Sequence, residues 1–223
     1  MPIPLSPGQK SEHLRVAGPV GNLEVVLDFP SGDARGIALI AHPHPLYGGS
    51  LDNKVAQTLA KTLVELGYVS LRSNFRGVGA SEGEHGSGTG EVDDLVFLAG
   101  YVRERFNAQT LGSQPIVLAG FSFGAFVQTQ VGERLRAAGH AIERMILVGV
   151  ADGDVGGGRS YRAAAVPNDT IVIHGEVDDT VPLANVLAWA RPQELPVIVA
   201  PGCDHFFNRK LHVIRAIIKN QWR

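Results

Sequence analysis

Ser122 stands in Gly120-Phe121-Ser122-Phe123-Gly124, a Gly-x-Ser-x-Gly pattern. That pattern sets a serine on a tight turn between a strand and a helix. The glycines give the backbone room for a strained turn and for close packing. A serine hydroxyl is a poor nucleophile at neutral pH. It needs a base to take its proton, and the base needs a carboxylate to orient it. Two later stretches offer these groups. Asp178 and Asp179 lie in His174-Gly175-Glu176-Val177-Asp178-Asp179-Thr180-Val181-Pro182, and His205 lies in Gly202-Cys203-Asp204-His205-Phe206-Phe207. Together such groups perform nucleophilic acyl transfer.

The pattern occurs twice, and context separates the two matches. Gly79-Ala80-Ser81-Glu82-Gly83 follows no apolar strand directly and runs into the polar, Gly-rich residues 84–90. It is expected to be a mobile surface loop. Ser122 follows Pro115-Ile116-Val117-Leu118-Ala119 without a gap, and Ala125, Val127, Val131 and Leu135 then recur at helical spacing. The plainer alternatives are helix capping for Ser122, Asp178 and Asp179 and an ordinary loop histidine for His205.

The elements that must position these groups alternate along the chain. A weak strand at 13–16 turns through Gly18-Pro19-Val20-Gly21 into a strand at 23–29, an N-terminal hairpin. Further strands are expected at 36–41, 68–71, 115–119, 145–150, 170–173 and 196–200. Helices are expected at 52–66, 91–106, 123–138, near Pro182, and at 210–222. Strands separated by helices imply parallel βαβ units. The fold class is therefore α/β, a single domain over residues 1–223 with a doubly wound, mostly parallel sheet. In such sheets the ligand site lies beyond the carboxyl ends of the strands, where Ser122, the aspartates and His205 all fall.

Composition narrows the function. The 20 Lys+Arg against 22 Asp+Glu leave a net charge of −2, which argues against a nucleic-acid or membrane-surface partner. One cysteine, Cys203, excludes an internal disulfide and a multi-cysteine metal site, and is expected to be a small packed residue. The start, Met1-Pro2-Ile3-Pro4-Leu5-Ser6-Pro7, lacks the basic and apolar regions of a signal peptide, so a cytoplasmic protein is expected. His42-Pro43-His44 opens like a metallohydrolase signature, but Pro45-Leu46-Tyr47 follow in place of further ligands. No metal is expected. No dinucleotide fingerprint follows a strand and no phosphate-loop lysine occurs, so no cofactor is expected.

Taken in order, Ala41-His42-Pro43-His44-Pro45, Asn74-Phe75-Arg76-Gly77-Val78-Gly79-Ala80-Ser81-Glu82-Gly83, the Ser122 pattern, His174-Gly175-Glu176-Val177-Asp178 and Gly202-Cys203-Asp204-His205-Phe206-Phe207 resemble the α/β-hydrolase superfamily. The likeness is to small lidless bacterial members, similar to dienelactone-hydrolase-like and serine-aminopeptidase-like proteins. The resemblance implies an α/β-hydrolase domain and a Ser122, Asp178, His205 triad. It selects Asp178 over Asp179, because the family acid stands four residues after the histidine of a His-Gly pair.

It also implies an oxyanion hole of backbone N–H groups, one from Phe123 and one from the loop at 42–47. Pro43 and Pro45 have no N–H, which leaves His44, Leu46 and Tyr47, with His44 preferred. Two departures stand out: Asn74 occupies a position where many relatives carry aspartate, and prolines replace a His-Gly-Gly run. Only about twenty residues, Ala151 to Asn168 and neighbours, separate two strands where this fold often inserts a cap. No cap domain is expected, though one helix would fit. An open cleft for a small-molecule acyl substrate follows, with Tyr47, Phe121 and Phe206 as expected walls. The oligomeric state is not legible. The expected reaction is hydrolysis of a carboxylic ester or related acyl bond. The rival readings are a peptidase, thioesterase or acyltransferase of this fold, or a non-catalytic binding protein.

Overall fold

The run Gly36-Ile37-Ala38-Leu39-Ile40-Ala41 carries no polar side chain because it is buried on both faces. Ile37, Leu39 and Ala41 enter one apolar core, and Ala38 and Ile40 enter another on the opposite side of the sheet. The computed structural model in which this is seen describes residues 10–106 and 111–222. The Met1–Pro7 stretch read for a leader lies outside them.

The elements are β1 (Ser11–Gly18), β2 (Gly21–Asp28), β3 (Gly36–Ala41), α1 (Lys54–Glu65), β4 (Tyr68–Ser73), α2 (Thr89–Arg105), β5 (Ile116–Phe121), α3 (Phe123–Ala137), β6 (Ile142–Val148), β7 (Gly153–Asp154), β8 (Ser160–Tyr161), β9 (Ile171–Gly175), α4 (Leu183–Ala190), β10 (Val197–Ala200) and α5 (Leu211–Gln221). Eight strands form one sheet in the order β1-β2-β4-β3-β5-β6-β9-β10. β1 and β2 pair antiparallel, as does β2 with β4, and the remaining pairs are parallel.

α1 shows how local chemistry sets an element. Asn53 caps it by accepting from the N–H of Val55 at 2.9 Å and of Ala56 at 3.3 Å. Val55, Leu59 and Leu63 recur on one face and are buried with Ile214 and Ile218 of α5. Gly67, at φ +92°, then turns the chain into β4. Each fully buried leucine contributes roughly 1.5–3 kcal/mol. On the other face α2 and α3 supply Val92, Leu95, Val127 and Val131.

The topology decides where a site can form. From β3 the chain moves through α1 to β4 on one side. From β5, which lies against the other edge of β3, it moves through α3 to β6 in the opposite direction. The loops after β3 and β5 therefore face each other across a switch point, where open α/β sheets bind ligands.

Two expectations change. The segment between β6 and β9 holds no helix. β7 and β8 form a short antiparallel hairpin, closed by Gly156, Gly157 and Gly158 at φ +77°, +62° and +73°. Three glycines in the left-handed region favour a tight turn over a helix. β6 starts at Ile142 and not at Met145, because the half-buried Ile142-Glu143-Arg144 at the sheet rim show no apolar run. Among the described residues no helix is long and apolar enough to cross a membrane.

Candidate active site

β5 runs straight into Ser122, which holds φ +57° and ψ −121° before α3 begins at Phe123. A non-glycine residue in that region carries backbone strain. The turn is held by the Ser122 N–H donating to Val148 O at 2.8 Å. A Cβ on Gly120 would sit 2.5 Å from Gly124 O, and one on Gly124 would collide with the carbonyls of Ala41 and His42. Both glycines are thus dictated by close approach. Ser122 makes no side-chain capping bond. Its Oγ lies 3.0 Å from His205 Nε2 instead.

His205 follows β10, and its Nδ1 lies 2.7 Å from Asp178 Oδ2. A carboxylate only accepts, so Nδ1 carries the proton and Nε2 presents its lone pair to the serine hydroxyl. Asp178 follows β9. Its Oδ1 accepts from the N–H of Thr180 at 2.9 Å and of Val181 at 2.8 Å. Burial alone would raise the Asp178 pKa, but the hydrogen bond and charge of His205, with the Val181 N–H, hold it below the usual aspartate value. Asp179 is exposed, and its carboxylate meets only the Thr180 hydroxyl. The geometry therefore brings together Ser122, His205 and Asp178, and leaves Asp179 outside.

Phe121, expected as a cleft wall, is wholly buried. Its ring packs 4.8 Å from the His205 ring, centroid to centroid, and 5.9 Å from Phe206. It points into the sheet core because it is the last residue of β5 and alternates with Ser122. It backs the imidazole and does not face the cleft. Phe206, 47% exposed, and Tyr47, 63% exposed, do line the cleft.

The loop after β3 answers the N–H accounting. Within residues 43–49, Pro43 and Pro45 have none. The N–H of Leu46 donates to His44 Nδ1, those of Tyr47 and Gly49 to His44 O, and that of Gly48 to Pro45 O. The His44 N–H alone has no acceptor among the described residues. The same holds at the start of α3 for the Phe123 N–H, which has no preceding helical turn to bond. The Phe123 ring packs between His44 and Phe75, 4.8 and 5.7 Å away.

His42 is a clamp between strands. Nδ1 donates to Pro43 O at 2.7 Å and Nε2 accepts from the Phe75 N–H at 2.9 Å. Both nitrogens are spent on backbone, which leaves neither for a metal. Burial pushes its pKa down to about 4. Cys203 is buried, and desolvation raises its thiol pKa.

Ser81 corrects the mobile-loop expectation. It is buried, donates to Asn74 O at 2.8 Å and accepts from the Glu24 N–H at 2.9 Å. Asn74 in turn donates to Glu24 Oε2 at 2.7 Å and accepts from the Leu51 N–H at 2.8 Å. An aspartate at 74 would face Glu24 as a second carboxylate, so asparagine is the residue this neighbourhood requires.

Two hollows of about 300 and 330 Å³ make up the cleft. Ser122, His205 and Phe206 line the first; His85 and Tyr161 line the second; His44, Tyr47 and Arg159 line both. A hollow of about 400 Å³ at the amino ends of β9 and β10, beside Arg144 and Asp169, lies at the far end of the sheet. His85, Arg159 and Tyr161 escape a reading of the sequence because they sit in Gly-rich connectors. A lone arginine directly after three glycines was the available signal. His174, beside the acid, is buried, donates from Nε2 to Val181 O at 3.1 Å, and has its pKa lowered by desolvation.

A family model for serine aminopeptidases (S33) matches residues 46–153. The uncharacterised protein RP471 of Rickettsia prowazekii (strain Madrid E) is 32% identical over 203 residues, 86% of this chain and 81% of that protein. Among solved structures, XC6422 of Xanthomonas campestris, described as an α/β serine hydrolase without a lid, is similar at a TM-score of 0.83 and 33% identity. That match covers 98% of this chain and 95% of the other. An α/β serine hydrolase homologue from Coxiella burnetii is similar at 0.79 and 35% identity, over 94% of this chain and 96% of that one.

Proposed function

The chain belongs to the α/β serine hydrolases of the lidless type, and from that premise we propose that it hydrolyses a carboxylic ester of a small acyl substrate through an acyl-enzyme on Ser122. The observation that carries the reading is the unbroken hydrogen-bond chain from Asp178 through His205 to Ser122.

In this reading Ser122 Oγ attacks the ester carbonyl carbon while His205 Nε2 takes its proton. The carbonyl oxygen becomes an oxyanion held by the N–H groups of Phe123 and His44, neither of which has an acceptor among the described residues. A donor of this kind is worth roughly 3–4 kcal/mol in the transition state. The tetrahedral intermediate collapses, the alcohol leaves with the proton from His205, and the acyl group stays on Ser122. Water then gives its proton to His205 and attacks the acyl carbon; as the acid departs, His205 passes that proton to Ser122 Oγ and the serine is restored. Asp178 keeps the proton on Nδ1 and stabilises the imidazolium. A cytoplasmic site of action belongs to the same proposal, with which the lone thiol of Cys203 agrees.

The match to a serine aminopeptidase model favours amide cleavage as a second reading. A fluorophosphonate probe should label the native protein and not Ser122→Ala. Absence of labelling in the native protein sinks the hydrolase mechanism. Paired p-nitrophenyl esters and p-nitroanilides of the same acyl groups separate esterase from peptidase, and faster turnover of the anilides would reverse the assignment.

A further inference from the structure

Arg159 differs from the arginines that are part of the fold. Arg72, Arg76 and Arg105 each meet a carboxylate, on Asp28 at 3.0 Å, Asp94 at 2.7 Å and Glu12 at 2.7 Å. Arg159 meets none among the described residues, although it is half-buried in the wall shared by the two hollows of the cleft. Its guanidinium lies over the Tyr47 ring at 4.2 Å from the centroid, and its Nε donates to Gly156 O at 3.2 Å. The group is thus held at Gly156 and over Tyr47, its terminal N–H groups reach the Tyr161 phenol, and no carboxylate among the described residues takes them.

The surroundings do not neutralise it. Neither hollow is lined by a carboxylate. Of the buried acids around them, Glu91 is committed to the N–H groups of Gly86 and Gly88 and to the His85 ring, at 2.7–2.8 Å, and Asp178 to His205 and the N–H groups of Thr180 and Val181. His44, whose pKa burial pushes down to about 4, adds an uncharged ring. A planar guanidinium with no carboxylate partner among the described residues, in a partly enclosed cleft, is the arrangement that recognises a carboxylate through two parallel hydrogen bonds.

Position assigns the charge to one half of the substrate. The leaving alcohol takes its proton from His205, so it departs along the His205 and Phe206 side. The acyl chain then runs the other way, past His44 into the hollow with Tyr161 and Arg159. We propose that the substrates are esters of dicarboxylic acids, with one carboxyl esterified and the free one bound by Arg159. This rests on the esterase reading of Ser122.

The test compares kcat/KM for the mono-p-nitrophenyl esters of adipic and pimelic acid with those for the neutral p-nitrophenyl hexanoate and heptanoate. The native protein should favour the anionic esters by about tenfold or more, the scale of one charge-assisted pair. Arg159→Ala should remove that preference through KM, and Arg159→Lys should keep part of it. Arg159→Glu should move the preference to a p-nitrophenyl ester of 6-(trimethylammonio)hexanoic acid, a reversal that mere loosening of the Tyr47 loop would not produce. A native preference at or below one, or one that Arg159→Ala leaves unchanged, overturns the proposal. If no ester turns over, the esterase reading fails separately. Calorimetry of monomethyl adipate on Ser122→Ala then decides: binding lost on adding Arg159→Ala upholds the subsite, and no binding removes it.

Discussion

The two Gly-x-Ser-x-Gly segments share a pattern and nothing else. At Ser81 both hydrogen-bonding capacities of the hydroxyl are used by backbone, one toward Asn74 O and one from the Glu24 N–H. At Ser122 no backbone group claims the hydroxyl, and the backbone itself is held at φ +57° by the strand before it and the helix after it. A motif of five residues does not make a nucleophile. What does is a turn that keeps the oxygen away from the local amides and carbonyls that would otherwise bond it.

The comparison breaks first on turnover. Ser122→Ala should lower kcat by about 10⁴-fold or more, whereas Ser81→Ala should leave turnover per folded molecule near the native value. Active-site titration alongside p-nitrophenyl ester hydrolysis checks both; equal losses would mean that the second segment takes part in the chemistry. Next is the acid. Asp178→Asn should cost roughly 10³–10⁴ in kcat with the fold intact, because the amide no longer holds the proton on Nδ1. Asp179→Asn, on an exposed side chain, should cost little; kinetics on the pair would expose a swapped assignment.

Stability sharpens the contrast in the other direction. Ser81→Ala strands the Glu24 N–H and the Asn74 carbonyl, and should cost about 1–3 kcal/mol in urea unfolding. Ser122→Gly should instead raise stability by about 1 kcal/mol, since it releases strain at a left-handed position. Identical shifts at both serines would remove the distinction drawn here.

A further contrast is in acid stability. Folding lowers the His42 pKa from 6.5 to about 4, so between those values the unfolded chain binds a proton that the folded one does not. Stability is therefore full above about 6.5 and falls as the pH drops toward 4, by at most about 1.4 kcal/mol per pH unit for this group. Unfolding midpoints at pH 7, 6, 5 and 4.5 should show the decline, and His42→Asn should make it shallower, leaving the shares of His44 and His174.

Much of this was legible in the residues. The all-apolar strands, the helical periodicities and the glycine stops follow local rules, so the element order and the parallel sheet could be read directly. Ser122 could be read because it follows a strand without a gap, and His205 because it lies in the turn just past the last strand. The choice between Asp178 and Asp179 could not be made locally. It depends on which carboxylate turns inward after β9, and a family likeness supplied it. The pinning of Ser81 was hidden because its amide partner, Glu24, is 57 residues away. Phe121 looked like a wall because aromatic residues beside a nucleophile often are. Strand alternation put it behind the base instead. Arg159 was hidden because its ring partner, Tyr47, lies in a loop at the far side of the switch point.

The β7–β8 hairpin touches the rest of the fold through few polar anchors. Asp152 Oδ1 accepts from the Ala163 N–H, and Asn185 Nδ2 donates to the carbonyls of Asp152 and Asp154, at 2.8–2.9 Å. Val155 is buried in the core and Tyr161 packs on His44 and Phe123, but the turn between them, residues 156–160, lies outside β6, β9 and the Ser122, His205 and Asp178 contacts. If Arg159 selects the substrate as proposed, that preference is carried on a replaceable cassette. Evolution, or a library randomised over residues 156–160, could exchange it while Val155, Tyr161 and the triad contacts stay in place.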